Sequence, residues 1–315
     1  MKLEKALKEY RKALNNGDMH AYLVNSCYDR CRHCYVGTVS ENSSRAKHID
    51  TDNFLHFVGL MKQDNDNKIN VALSGGDPLL HPEIVKILDY LSPISNLEIL
   101  TSGFALSVRN TRNRREILEA LDKSKASFMI ASPNEPYHSI TWQDVKEIKR
   151  YIEEQGFNPN KFGYPSRSSD IVQKVLARTL PPGWIGYLID KFSKGNKMPR
   201  VIAIGRAKNL PEEQHLKGNR ECDIFSNPNQ IYLNYNGNLQ YCLYTCHDGF
   251  MNINELRGIN NKQEAIGIVL DRLSRDPTFQ DIIKLDTCYF ADEIRKKSEV
   301  EEVRDKEVNI LEEGR

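Results

Sequence analysis

The sequence predicts an α/β fold: six strand–helix units on a parallel sheet, then a small domain of one β-hairpin and a helix. Three observations carry this. Between residues 20 and 210, strand-length apolar runs alternate with amphipathic stretches, and alternation with helical patterns of roughly 10–15 residues is the mark of repeated βα units. Each strand run passes directly into a short polar or glycine-containing segment, and in parallel folds function collects at the carboxyl ends of strands. Beyond residue 211 the pattern changes to two short alternating runs around Asn236-Gly237, which reads as a hairpin.

In order, Met1–Tyr10 is a charged amphipathic helix and lacks the apolar segment of a signal peptide. Ala21–Val24 is a short apolar strand, broken by Asn25 and Ser26. Thr51 or Asp52 caps a helix in which Phe54, Leu55, Val58 and Met61 fall at helical spacing. Ile69–Leu73 is a buried strand that runs into Ser74-Gly75-Gly76-Asp77-Pro78, and Pro82 opens the next helix. Leu97–Leu100 ends in Thr101-Ser102-Gly103, and a helix from Asn113 to Lys125 follows. Ser127–Ala131 ends at Ser132-Pro133-Asn134, and the helix Trp142–Gln155 stops at Gly156. Lys161–Tyr164 is the fifth strand, with helical patterns at 170–180 and 184–193. Arg200–Ile204 is the sixth strand and ends in Gly205-Arg206-Ala207. In the last third, Ile231–Leu233 and Leu239–Tyr241 flank Asn236-Gly237, which suits a type I′ turn. Met251–Leu256 and a further helix come next, and residues 291–315, charged throughout, read as a solvated helix or a frayed tail with no function assigned.

Composition excludes several classes. With 39% hydrophobic residues and a net charge of +1 over 315 residues, the chain has no global attraction to nucleic acid or membrane. No apolar run approaches the roughly 18 residues of a membrane-spanning helix. A cytoplasmic setting is expected, in which thiols stay reduced and serve as ligands. No P-loop occurs, and no G-x-G-x-x-G follows a strand, which argues against a nicotinamide enzyme.

The seven cysteines divide into three and four. Cys27, Cys31 and Cys34 stand in a C-x3-C-x2-C run on the loop leaving the first strand. Three thiolates hold three irons of a cubane and leave the fourth open, unlike the four-cysteine runs of ferredoxins. A structural zinc with His33 or His48 as fourth ligand also fits the spacing. Haem attachment does not, because Tyr35 follows Cys34. In Gly75-Gly76-Asp77 two glycines let the backbone approach a ligand closely, and Asp77 adds an acceptor for a cationic amine. A plain βα turn is the other reading of that triplet. The late cysteines Cys222, Cys242, Cys246 and Cys288 bracket the hairpin and the helix after it. An iron–sulfur cluster, a structural zinc and buried unligated thiols all fit them.

The C-x3-C-x2-C spacing resembles the signature of the radical S-adenosylmethionine (radical SAM) superfamily, although His33 stands where the family usually has an aromatic residue. Gly75-Gly76-Asp77 resembles that family's Gly-Gly-Glu stretch, with Asp in place of Glu. Ser102-Gly103 is similar to a feature after its third strand, and Ser132 and Asn134 lie where relatives contact the ribose. Gly205-Arg206-Ala207 resembles a triplet of members that carry an extra cluster domain. The C-x14-G-x4-C run ending at Cys242 resembles the opening of SPASM and twitch domains, and four late cysteines place it nearer twitch.

This resemblance, over roughly residues 20–290, implies a partial (β/α)6 TIM-like barrel. It implies a [4Fe–4S] cluster on Cys27, Cys31 and Cys34 whose open iron chelates S-adenosyl-L-methionine. Gly75, Gly76, Asp77, Ser102, Ser132, Asn134 and Arg206 would line that cofactor, and Cys222, Cys242, Cys246 and Cys288 would hold a second [4Fe–4S] cluster. The implied division is an N-terminal helix (1–19), the barrel (20–210), a SPASM/twitch-like domain (211–292) and the tail (293–315). The implied activity is generation of a 5′-deoxyadenosyl radical that removes a hydrogen atom from an unactivated C–H bond. Expected partners are a flavodoxin- or ferredoxin-like reductant and a peptide or small-molecule substrate, with no nucleic acid and no membrane. A peptide or protein side chain is the first substrate expected and a sugar or cyclitol the alternative. A non-catalytic metal-binding scaffold is the reading from another class, and an amine-binding turn argues against it.

Overall fold

The structure, a computed structural model, describes residues 2–28, 31, 34, 36, 38–40, 42–106, 113–130, 141–158, 230–241 and 249–284. Helix α1 (Lys2–Asn16) buries Ala6, Tyr10, Ala13 and Leu14, a stripe at helical spacing, and Gly17 ends it at φ +77°. Four βα units follow: β1 (Met19–Val24) and α2 (Thr51–Lys62), β2 (Ile69–Gly75) and α3 (Ile84–Ile94), β3 (Ser95–Thr101) and α4 (Arg114–Ser124), and β4 (Ser127–Ile130) and α5 (Trp142–Glu154). These match the first four units expected from the alternation of patterns. The fifth and sixth expected strands, Lys161–Tyr164 and Arg200–Ile204, lie outside the described residues.

Three local expectations are corrected. The cap of α2 is Asp50, whose side chain accepts from the Asn53 N–H at 2.9 Å, while Thr51 is already helical and Asp52 reaches Lys86 at 2.7 Å. Helix α3 starts at Ile84 rather than Pro82, because His81 to Ile84 close a turn of their own, the Ile84 N–H donating to the His81 carbonyl at 3.1 Å. The hairpin of β5 (Ile231–Leu233) and β6 (Asn238–Gln240) does not turn through type I′. That turn needs positive φ at both central residues, and of Asn236 and Gly237 only Gly237 has it, at +78°. Instead the Gly237 N–H donates to the Asn234 carbonyl at 2.9 Å, and the Asn234 side chain accepts from the N–H groups of Asn236 and Asn238, both at 3.0 Å.

The described strands form one seven-stranded sheet in the order β4-β3-β2-β1-β5-β6-β7, with β7 at Met251–Asn252. From β4 to β5 every neighbouring pair is parallel, and β5-β6-β7 is antiparallel. The hairpin is therefore stitched onto the first strand, with Met19 opposite Ile231 and Ala21 opposite Leu233. One face of the sheet presents Met19, Ala21, Leu23, Val71, Leu73, Ile99 and Leu233 to the main apolar core, which the helices cover. Helices α6 (Lys262–Arg275) and α7 (Pro277–Ile282) join that core through Ile266, Val269, Leu273 and Phe279. Lys262 fastens them further. Its buried ammonium donates to the carbonyls of Asn15 at 2.8 Å, Met61 at 2.8 Å and Gln63 at 2.9 Å, which are orphan acceptors at the ends of α1 and α2. Among the described residues no helix is long and apolar enough to cross a membrane.

Candidate active site

The thiol loop begins where β1 leaves the sheet. Asn25 is held there on both sides: its N–H donates to the Lys47 carbonyl at 3.1 Å, and its side-chain oxygen accepts from the Lys47 N–H at 2.7 Å. The Val39 N–H donates to the Asn25 carbonyl at 2.9 Å and the Cys27 N–H to the Val39 carbonyl at 3.0 Å, so segment 39–47 clamps the strand end. Cys27 is buried, Cys31 and Cys34 are half-buried, and none of the three is in a disulfide. Cys34 sits against a small separate cluster of Tyr22, Val36 and Tyr235, the last supplied by the hairpin.

Among the described residues no three His, Cys, Asp or Glu side chains are gathered closely enough to hold a single metal ion. His48, offered from sequence as a zinc ligand, directs Nδ1 to the Ile49 carbonyl at 3.2 Å and packs edge-on to His81. His33 lies outside the described residues.

The Gly75–Asp77 turn presses directly on this loop. The Gly76 N–H donates to the Val24 carbonyl at 2.7 Å and the Asp77 N–H to the Ser26 carbonyl at 2.8 Å. Gly75 has φ +126°, and a Cβ on Gly76 would stand 1.8 Å from the Ser26 carbonyl oxygen. Sequence reasoning gave the glycines the task of letting a ligand approach. In the structure the end of β1 makes that close approach.

Asp77 is fully buried. Its Oδ1 accepts from the Thr101 hydroxyl at 2.6 Å and the Leu79 N–H at 3.2 Å, and its Oδ2 accepts from the Ser102 hydroxyl at 2.5 Å. Burial pushes its pKa up, while the hydrogen bonds from Ser102, Thr101 and Leu79 pull it down. Two residues named from sequence, Asp77 and Ser102, are thus brought together, but by each other. Thr101 was missed, and its signal was a second hydroxyl in the same strand-end triplet.

Sequence reasoning also missed His20, a histidine inside an otherwise apolar strand. Its Nε2 lies 2.5 Å from the Ser74 hydroxyl, with the rings of Tyr22 and Tyr232 at 5.3 and 6.2 Å, and burial lowers its pKa to about 4. His81 follows the glycine turn, with Nε2 on the Ile49 carbonyl at 3.0 Å and Nδ1 accepting from the Glu83 N–H at 3.1 Å. Burial lowers its pKa to about 4 as well. A cavity of about 250 Å³ opens beside the loop, lined in part by Ser26, Lys47, His48, His81 and Asn113. Ser132, Asn134, Arg206, Cys222, Cys242, Cys246 and Cys288 lie outside the described residues.

Residues 22–165 match the model of the radical SAM superfamily. The chain is 26% identical over 179 residues to a GTP 3′,8-cyclase of Microcystis aeruginosa, covering 50% of this chain and 53% of that protein. It is 24% identical over 237 residues to a GTP 3′,8-cyclase of Rippkaea orientalis, covering 65% of this chain and 68% of the relative. The first match therefore spans about half the length of the curated relative. Among solved structures, that of BtrN in complex with AdoMet and 2-DOIA overlays 86% of this chain and 87% of its own with a TM-score of 0.46 at 14% identity.

Proposed function

The chain carries a radical SAM domain and is a radical SAM enzyme, and on that premise we propose that Cys27, Cys31 and Cys34 hold a [4Fe–4S] cluster with one open iron. The reaction proposed is removal of a hydrogen atom from an unactivated C–H bond of a peptide or protein side chain. One observation carries the cluster assignment: three thiols outside any disulfide leave β1 on a loop against which the Gly75–Asp77 turn is packed, at the carboxyl ends of parallel strands. With S-adenosylmethionine on its open iron and one electron delivered, such a cluster supplies a 5′-deoxyadenosyl radical.

The protein's share is to hold, orient and dry the site. Tyr22, Val36 and Tyr235 form an apolar wall beside Cys34. Gly75, Gly76, Ser102, Ser132, Asn134 and Arg206 are the proposed cofactor side of the site. A flavodoxin- or ferredoxin-like protein is the proposed electron donor, in a reducing cytoplasm that keeps thiols available. Cys222, Cys242, Cys246 and Cys288 are proposed to hold a second [4Fe–4S] cluster in a SPASM/twitch-like region at 211–292, after a barrel at 20–210, with 1–19 as a leading helix and 293–315 as a tail.

The likeness to GTP 3′,8-cyclases favours a second reading, radical chemistry on a small molecule such as a sugar or nucleotide. The test is anaerobic reconstitution with reductant and S-adenosylmethionine. Wild type is expected to carry about eight irons and release 5′-deoxyadenosine, and the Cys27/Cys31/Cys34→Ala variant about four irons and no product. Product from that variant would overturn the cluster assignment. Transfer of deuterium into 5′-deoxyadenosine from a labelled peptide library, against labelled nucleotides and sugars, separates the two substrate classes.

A further inference from the structure

Asp77 is the one acidic group in the glycine turn and invites the role of acceptor for the cofactor's amine. The structure assigns it another. We infer that Asp77 is a positioning residue for the thiol loop: its buried carboxylate ties the end of β3 to the turn that seats Ser26 and Cys27. This rests on the reading of Cys27 as a cluster ligand.

The carboxylate is buried and turned towards partners inside the fold. An ionised carboxylate offers about four lone-pair positions. The Leu79 N–H, the Thr101 hydroxyl and the Ser102 hydroxyl occupy three. The residue is 0% exposed, so an ammonium group would reach it only by displacing Thr101 and Ser102. The other end of the same residue points at the cluster loop. Its N–H donates to the Ser26 carbonyl at 2.8 Å, one bond before Cys27, and Gly76 beside it leaves no room between turn and loop. Cys27 is thus fixed from two sides, by the glycine turn through Ser26 and by Val39 through its own N–H. Three strand ends are joined in one chain of contacts, β3 to β2 through the carboxylate and β2 to β1 through the amide. Loss of the carboxylate frees the turn, and the turn carries the ligand.

The experiment compares Asp77→Asn, Asp77→Ala and Ser102→Ala with wild type in two states. In metal-free, reduced protein, alkylation by iodoacetamide is followed by mass spectrometry as the ratio of Cys27 to Cys34 labelling. Asp77→Ala is expected to raise that ratio about fivefold and Ser102→Ala about twofold, by exposing a thiol that wild type buries. Asp77→Asn should leave it unchanged, since its amide still accepts from Thr101 and Leu79 and donates to Ser102. In reconstituted protein, calorimetry should give Asp77→Asn an affinity for S-adenosylmethionine within about twofold of wild type. An unchanged labelling ratio in Asp77→Ala overturns the inference. So does an Asp77→Asn protein that keeps Cys27 protected but binds the cofactor at least about tenfold more weakly. If Asp77→Ala does not fold, Ser102→Ala carries the first arm. Wild type that takes up no iron would refute the radical reading, while the labelling ratio, which needs neither iron nor cofactor, would still judge Asp77.

Discussion

Two turns off the same sheet differ in what closes them. Gly75–Asp77 follows β2, and Asn234–Gly237 joins β5 to β6. Both contain a glycine at positive φ, Gly75 at +126° and Gly237 at +78°. Both set a short side-chain oxygen on a main-chain N–H two residues on, Asp77 on Leu79 and Asn234 on Asn236. The hairpin turn is closed by its own residues and by β7 beside it, where the Asn252 side chain donates to the Asn236 carbonyl at 2.8 Å. A Cβ on Gly237 would first meet the Ile253 side chain at 3.3 Å. The other turn is closed by Val24 and Ser26 from β1 and by Thr101 and Ser102 from β3. Near-identical local chemistry therefore serves a reversal within the hairpin in one place and a junction of three strand ends in the other.

That contrast is sharpest under substitution. Gly76→Ala puts a methyl group on the Ser26 backbone, which has no flexible end to give way, and should cost more than about 3 kcal/mol. It should also lower the iron held by the Cys27 loop. A glycine that merely left space for a ligand amine would instead weaken cofactor binding with iron content unchanged. Denaturant unfolding and iron analysis distinguish the two.

Lys262→Met tests how firmly the late region is joined to the early one. The variant keeps most of the packing but removes the donor shared by the carbonyls of Asn15, Met61 and Gln63, the first two of which also accept from the Asn65 side chain, and about 2–3 kcal/mol should be lost. An unchanged midpoint in urea would show that the apolar core alone holds the halves together.

Acid should act on the first turn through the histidines that flank it. His20, bonded to Ser74, and His81 both titrate near pH 4 when folded, against an ordinary value of 6.5. The unfolded chain takes up these protons first, so their contribution is complete above pH 6.5 and is lost as the pH falls towards 4. Asp77 works in the opposite sense, because burial raises its pKa and protonation favours the folded form. The difference between wild type and His20→Gln isolates one histidine. Between pH 7 and pH 4.5 wild type should lose about 2–3 kcal/mol more than the variant. Parallel pH profiles in unfolding experiments would remove His20 from this account.

Gly237→Ala should show the smallest effect, about 1 kcal/mol of left-handed strain, with iron content as in wild type. Loss of iron in this variant would mean that the hairpin, through Tyr235, is as tightly coupled to the thiol loop as the glycine turn is.

The amino-acid sequence by itself determined the kind and order of the elements. Apolar spacing within a stretch reports which face is buried, and that is a local property: Ile69–Leu73 reads as a strand and Phe54 to Met61 as a helix face wherever they dock. It also placed Cys27, Cys31 and Cys34 on the loop leaving the first strand, and Gly75, Gly76, Asp77 and Ser102 where their apolar runs end. Only the tertiary structure decided what those residues touch. Nothing local tells Ile231 that its neighbour is Met19, Gly76 that its space is taken by Ser26, or Asp77 that its acceptors go to Thr101 and Ser102. A hydrophobic pattern encodes burial without naming the partner, and a polar side chain at a strand end is equally suited to a ligand or a neighbour. The choice between them is made by the register in which parallel strands align their ends.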